Sequence, residues 1–231
     1  MASGSLATPS TDAVRRAAES VSGGAQVRFE DGEARPLGAK GRRTRARILR
    51  GATQAFVEQG WTATTMATVA ERAEVGTGTI YQYFRRKEDV LAALVGEWTL
   101  AALGQLRTWD PAEGRDGLRA VIGRFVAGYA ATSPLQRVWE EVSLTDPALA
   151  QLRRDLTEVY VQIFADAFEA GAAAGLLDPG PRPTETARAL CAMVDRYCHQ
   201  VLGHPDRTDD DQVAAAVELL TDLWTSALHL T

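Results

Sequence analysis

Cysteine is scarce. The 231 residues hold only Cys191 and Cys198, too few for a disulfide framework, so a reducing cytoplasmic setting is expected. No apolar run approaches the roughly 18 residues that cross a bilayer, so no membrane partner is expected. Met1 to Ser10 carry neither a basic stretch nor an apolar one, so no secretory leader is visible. Histidine is limited to His199, His204 and His229, which lack metal-ligand spacing, and no glycine loop suited to cradling phosphate occurs. Cys198 and His199 are adjacent, so on a helix they diverge by about 100° and make a poor nucleophile–base pair. These absences argue against catalysis, a metal centre and any cofactor. Positive charge is also short overall: 25 Lys+Arg against 30 Asp+Glu give a net charge of −5, which alone argues against a nucleic-acid binder.

The average hides an asymmetry. Residues 1–40 are neutral, residues 41–98 carry +3 and residues 99–231 carry −8; within 41–87, nine basic residues face three acidic ones. Such a block is either a polyanion-binding module or a solvated charged face, and charge alone leaves the two open. Residues 1–40 are rich in Ala, Gly and Ser without a sustained period and read as a flexible extension. From Arg42 the apolar residues follow a helical period. Ile48, Ala52, Ala55 and Phe56 mark a first helix that Gly60 ends; Met66, Val69, Ala70 and Ala73 mark a short second one that Thr64 or Thr65 caps. Val75-Gly76 turns the chain into a third helix, about Thr77 to Phe84, with Ile80 and Phe84 inward.

A longer helix followed by two short ones across a tight turn is the helix-turn-helix layout, and a helix about 10–12 Å wide fits the major groove of B-DNA. On the third helix Gly78, Thr79 and Gln82 point away from Ile80 and Phe84, with Tyr81 and Tyr83 on the flanks. Gln82 suits adenine and the Thr79 methyl suits thymine; the tyrosine hydroxyls and Lys87 suit phosphate. Thr64 and Thr65 open the second helix, where hydroxyls and free N–H groups favour an anion. Arg42, Arg43 and Arg45 are placed to reach phosphates or a minor groove, whereas Arg47 and Arg50 are expected on the wet face of the first helix.

Residues 41–98 resemble the DNA-binding domain of the tetracycline-repressor (TetR) family. The resemblance is carried by Phe56, Gly60, Thr64-Thr65, Val69-Ala70, Ala73, Val75, Gly78-Thr79-Ile80-Tyr81, Tyr83-Phe84 and Lys87-Glu88. It implies that Thr77, Thr79, Tyr81, Gln82 and Tyr83 touch DNA from the recognition helix, with Thr65 and Lys87 as clamps on the backbone. It also implies a small effector bound in the remainder of the chain and a relay through the helix at 88–107. The C-terminal half is similar to actinobacterial members with long apolar pockets. Two positions depart from the family pattern: Glu74 stands where glycine is usual, and Gly76 where serine is usual.

Residues 88–231 show helical patterns at about 88–107, 114–131, 134–143, 147–174, 184–202 and 209–229, split by turn signals such as Ser133-Pro134. The expected fold class is therefore all-α: an N-terminal three-helix helix-turn-helix DNA-binding domain over 41–87, then a six-helix ligand-binding and dimerisation domain over 88–231. Trp98, Phe125, Tyr129, Trp139, Tyr160, Phe164, Met193 and Tyr197 are the candidate effector lining, since bundles place such sites between facing helices; ordinary core is the alternative for each. Leu190, Val194 and Val201, with Val213, Val217, Leu220, Trp224 and Leu228, form stripes that suit a four-helix seam across a two-fold axis. Leu219, Leu223, Ala227 and Leu230 occupy the neighbouring face of the last helix, and the alternative is that both helices complete the core of one chain. The expected function is a homodimeric, ligand-responsive regulator, a repressor that releases a pseudo-palindromic double-stranded operator on binding a small, largely apolar effector. The alternatives are a DNA-binding regulator without a small-molecule effector, controlled by a partner, and an activator.

Overall fold

The computed structural model describes residues 26–28, 34–105, 109–203 and 209–230. Most of the extension expected at 1–40, and His204, lie outside the described residues. Two strands, β1 (Gln26–Arg28) and β2 (Ala34–Pro36), are followed by α1 (Ala39–Ala63), α2 (Met66–Arg72), α3 (Thr77–Tyr83), α4 (Lys87–Gln105), α5 (Gly114–Ser143), α6 (Pro147–Ala173), α7 (Pro183–Leu202) and α8 (Asp210–Ala227). The all-α class is as expected. The strands form one antiparallel pair, Gln26 opposite Pro36 and Arg28 opposite Ala34, and β1 lies against α3. Three residues per strand are too few for an alternation to be read from sequence.

The chain divides into two compact units, one drawn from residues 16–100 and 134–153, the other from 101–133 and 154–231. In the first, α1 buries Ile48, Leu49, Ala52, Ala55 and Phe56, and α2 packs on it with Val69 and Ala70. Burial of a side chain such as Phe56 is worth about 1.5–3 kcal/mol. The approach is close enough that a Cβ at Gly51 would meet the Ala73 backbone nitrogen at 2.6 Å, so a side chain there would wedge α1 from α2. Gly60 breaks α1 with φ 77°, as its glycine suggests. Thr65, not Thr64, caps α2, its hydroxyl accepting the Thr68 N–H at 3.1 Å.

The turn into α3 explains the departure at Glu74. Val75 N–H donates to Ala70 O and Glu74 N–H to Glu71 O, both at 2.9 Å, which is a Schellman ending with Glu74 in its left-handed position (φ 51°). A side chain there costs roughly 1–2 kcal/mol, which is why glycine suits the position. Gly76 then serves as the N-cap of α3 without a side-chain bond.

In the second unit Leu118, Val121, Ile122, Val126, Val161, Phe168, Leu190, Val194, Cys198, Leu220, Trp224 and Leu228 share one core. A reciprocal cap starts α8: Asp209 accepts the Gln212 N–H and Gln212 accepts the Asp209 N–H. The break expected at Ser133-Pro134 does not occur, and α5 runs through Pro134 as one helix of 30 residues. Proline removes one N–H and crowds the preceding turn. The buried series Val126, Tyr129, Ser133 continues at helical spacing into Leu135, Val138, Trp139 and Val142, so packing holds the helix across it. Among the described residues, the chain from Lys87 onward thus carries five α-helices rather than the six expected over 88–231.

Replacing Glu74 by glycine is expected to stabilise the protein by about 0.5–1 kcal/mol, the relief of the left-handed backbone exceeding glycine's extra freedom in the unfolded chain. Denaturant unfolding of the two proteins measures this, and no gain in midpoint would count against the strain.

Candidate nucleic-acid interface

The third helix presents its two faces as the pattern requires. Ile80 is wholly buried, while Thr77, Gly78, Gln82 and Tyr81 (53% exposed) face outward and Thr79 and Tyr83 are half-buried. No atom stands within 4 Å of a Cβ built on Gly78, so the backbone there is open to a close partner. Thr65 and Arg43 are exposed as well. Eight of the eleven residues named for DNA contact thus keep surface free for it.

Three do not. Thr64 is buried, its hydroxyl donating to Ala55 O (3.1 Å) and Gly60 O (2.8 Å), so it locks the end of α1 instead of meeting an anion. Arg45 keeps 14% of its side-chain surface; it pairs with Glu97 of α4 and lies 5.7 Å from the Phe84 ring centroid. Lys87 donates from Nζ to Trp61 O at 2.7 Å and Thr64 O at 3.0 Å, with the Trp61 ring centroid 4.3 Å away. For Arg45 and Lys87 a long-range partner recruits a cation that the local sequence offers to phosphate.

Arg47 was placed on the wet face, yet its Nη2 donates to Ala73 O (2.9 Å) and Glu74 O (2.6 Å), the exposed carbonyl end of α2, and lies 3.6 Å from the Glu74 carboxylate. The Glu74 charge is therefore drawn toward α1. Sequence reasoning also missed Gly51, Trp61 and Glu97; Trp61, directly after the Gly60 break, was the one with a readable signal, being an aromatic at the mouth of a turn. Arg86 pairs with Asp89 (3.5 Å) and Asp146 (3.4 Å), which leaves Arg43, Arg50 and Arg85 among the exposed cations of this unit.

Six of the eight residues named for an effector lie together in the second unit. Phe125 stands 6.3 Å from Tyr129 and 6.1 Å from Tyr160, ring centre to ring centre. Phe164, Met193 and Tyr197 pack against the same core. The Tyr129 hydroxyl lies 3.4 Å from His199 Nδ1. Trp98, half-buried on α4, and Trp139, buried on α5, belong to the other unit and are not in this cluster. Burial pushes the Tyr160 hydroxyl and the Cys191 thiol, both half-buried, up to about 12. Cys198 is raised to about 12 by the same cause.

The seam expected between two copies is corrected by burial. Leu190, Val194, Val217, Leu220, Trp224 and Leu228 are buried in the single chain, and Val201 and Val213 pack against that core, so these stripes close the monomer. Trp224 meets Phe164 edge-to-face at 4.7 Å, and its Nε1 is buried with no hydrogen-bond partner among the described residues. Exposed apolar residues remain on the neighbouring stripe of α8, Ala215 with Leu219 and Leu223, the last two each 43% exposed, and at Ala189 and Ala192 of α7. Among the described residues, no three metal-ligating side chains gather.

Residues 48–94 match the family described as bacterial regulatory proteins, tetR family, and residues 114–224 match the C-terminal domain of BetI-type transcriptional repressors. Over 160 residues the chain is 27% identical to the HTH-type transcriptional regulator BetI of Burkholderia thailandensis, covering 65% of this chain and 77% of that protein. Over 47 residues it is 49% identical to the regulator HbdR of Aromatoleum, 20% of each chain. Among solved structures it is similar to SmeT, the repressor of the Stenotrophomonas maltophilia multidrug efflux pump SmeDEF. There the TM-score is 0.63 at 26% identity, over 80% of this chain and 92% of that one.

Tyr160, Cys191 and Cys198 are neutral in the fold and ionise on unfolding from about pH 8.5–10. Their raised values mean that the stability they contribute is complete below that range and is lost as pH climbs toward about 12. Melting temperature is expected to fall steadily above pH 9 or so, and less steeply for Cys191→Ala with Cys198→Ala; equal slopes would show that the thiols do not carry the effect.

Proposed function

Because this chain belongs to the tetR family of bacterial transcription regulators, we propose that it is a repressor that leaves a pseudo-palindromic operator when a small, largely apolar effector binds its second unit. The observation that carries the DNA reading is the outward face of α3: Thr77, Gly78, Tyr81 and Gln82 exposed around a buried Ile80. Thr79 and Tyr83 border that face. Gln82 and the Thr79 methyl read base edges, while Tyr81, Tyr83, Thr65 and Arg43 contact phosphate and sugar.

The same reading requires two copies. A two-fold pair sets two recognition helices roughly 34–36 Å apart, in successive major grooves. We assign the pairing face to Leu219 and Leu223 with the exposed alanines Ala215, Ala189 and Ala192; small residues let helices approach closely, and the large side chains would leave water. An effector that binds the releasing arrangement better than the operator-bound one lowers operator affinity by that difference. A 100-fold change needs about 2.7 kcal/mol, the burial of roughly 110 Å² of additional apolar surface. The ring cluster of Phe125, Tyr129 and Tyr160 supports a site for it, and the Trp224 indole N–H, without an acceptor among the described residues, favours an effector carrying one.

Selection of bound duplexes from a random pool, repeated at two salt concentrations, is expected to yield a palindromic consensus with steep salt dependence. Tyr81→Ala is expected to weaken binding of that consensus by about 10–100-fold, or 1.4–2.7 kcal/mol, without changing the oligomer. A pool that enriches no symmetric site would refute the reading. Leu219→Glu combined with Leu223→Glu is expected to give monomers in sedimentation velocity; a dimer that survives both changes would place the pairing face elsewhere.

A further inference from the structure

Lys87 is the first residue of α4, and by resemblance it would hold a DNA phosphate. Its surroundings assign it other work. An ammonium has three N–H donors. Two are taken by main-chain carbonyls, Trp61 O at 2.7 Å and Thr64 O at 3.0 Å, and the ammonium stands 4.3 Å from the centre of the Trp61 ring, within range of a cation–π contact. The Trp61 ring is itself fixed, 5.2 Å from Phe56 of the buried α1 core. Two of the three donors of Lys87 thus end on main-chain carbonyls, and the half-buried ammonium lies over the Trp61 ring.

The atoms it holds are the ones that set the start of α2. Thr64 is anchored on its other side through its hydroxyl to Ala55 O and Gly60 O, and the next residue, Thr65, caps α2 by accepting the Thr68 N–H. The chain between α1 and α2 is therefore gripped from α1 by Thr64 and from α4 by Lys87. We infer that Lys87 is a positioning residue: it fixes α2, and through the tight turn at Glu74 it fixes α3, without touching DNA. This rests on the reading that α3 enters the groove.

The test uses the full-length protein, the selected operator and a random duplex of equal length, with affinities measured over a range of salt. Each phosphate contact contributes about 0.9 to the slope of log affinity against log salt. Lys87→Met is expected to lower the ratio of operator to random-duplex affinity about tenfold while leaving the slope unchanged, and Lys87→Arg, which donates to carbonyls and stacks on Trp61, to restore most of that ratio. In the free protein, Lys87→Met is expected to speed hydrogen exchange of the amides opening α2. Trp61→Leu keeps the lysine charge but removes the ring, and is expected to lose the same ratio at the same slope; it decides the matter if Lys87→Met does not fold. A slope lower by about 0.9 with the ratio preserved would make Lys87 a phosphate contact and overturn the inference. So would a fall in melting temperature with both affinities kept, which is a structural role alone. If Tyr81→Ala binds the operator like the wild type, the DNA reading fails and the inference falls with it; if Tyr81→Ala loses the operator and Lys87→Met does not, only the inference fails.

Discussion

A helix of seven residues has more unsatisfied end groups than internal hydrogen bonds, and the helix-turn-helix of this protein is built from two such helices. Their end carbonyls and the carbonyls that lead into them must find donors, and the head supplies cations from α1 and α4. Arg47 closes the C-terminal end of α2, where a positive charge also meets the negative end of the helix dipole. Lys87 closes the entry to α2. Arg45 joins α1 to Glu97 of α4 and lies over Phe84, the residue that ends α3. Hydrogen bonds to charged groups are worth roughly 1.5–3 kcal/mol each, so these internal contacts hold the ends of the short helices firmly. The orientation of α3 depends on them.

The helices, their order and the outward face of α3 were legible because each rests on local rules. Ile80 inward with Tyr81 and Gln82 outward follows from 3.6 residues per turn, and Gly60 and the threonines before Met66 mark ends by backbone chemistry. What failed to show in the sequence was long-range. Nothing near Arg45 points to Glu97, and nothing near Lys87 points to Trp61, so both read as phosphate ligands until the fold brings the partners together. Pro134 gave a correct local signal that the packing of α5 overrides. The last helix carries two apolar stripes, and periodicity cannot say which one meets the core; the fold buries Val217, Leu220 and Trp224 and leaves Leu219 and Leu223 outside. The aromatic cluster of the second unit was legible in part for a similar reason. Rows such as Phe125 with Tyr129 show which residues share a helix face, while only the fold separates Trp98 and Trp139 from the rest.

The second unit differs from the first in what its polar groups do. At the surface, Arg115 and Arg119 pair with Glu218, and Arg188 with Glu158, joining helices through exposed ion pairs that contribute little each. Inside, Tyr160, Cys191, Trp224 and the Tyr129–His199 contact stand among aromatic rings. The buried Trp224 indole N–H has no acceptor among the described residues, at a cost of about 1–3 kcal/mol.

With Arg45 and Lys87 turned inward and Arg47 tied to main-chain carbonyls, the proposed function implies a basic head that grips unrelated DNA less firmly than its sequence charge suggests. Such a protein lingers only briefly at any one random stretch of a chromosome. Fewer copies are sequestered in unproductive encounters, and the time taken to reach the correct sequence shortens accordingly.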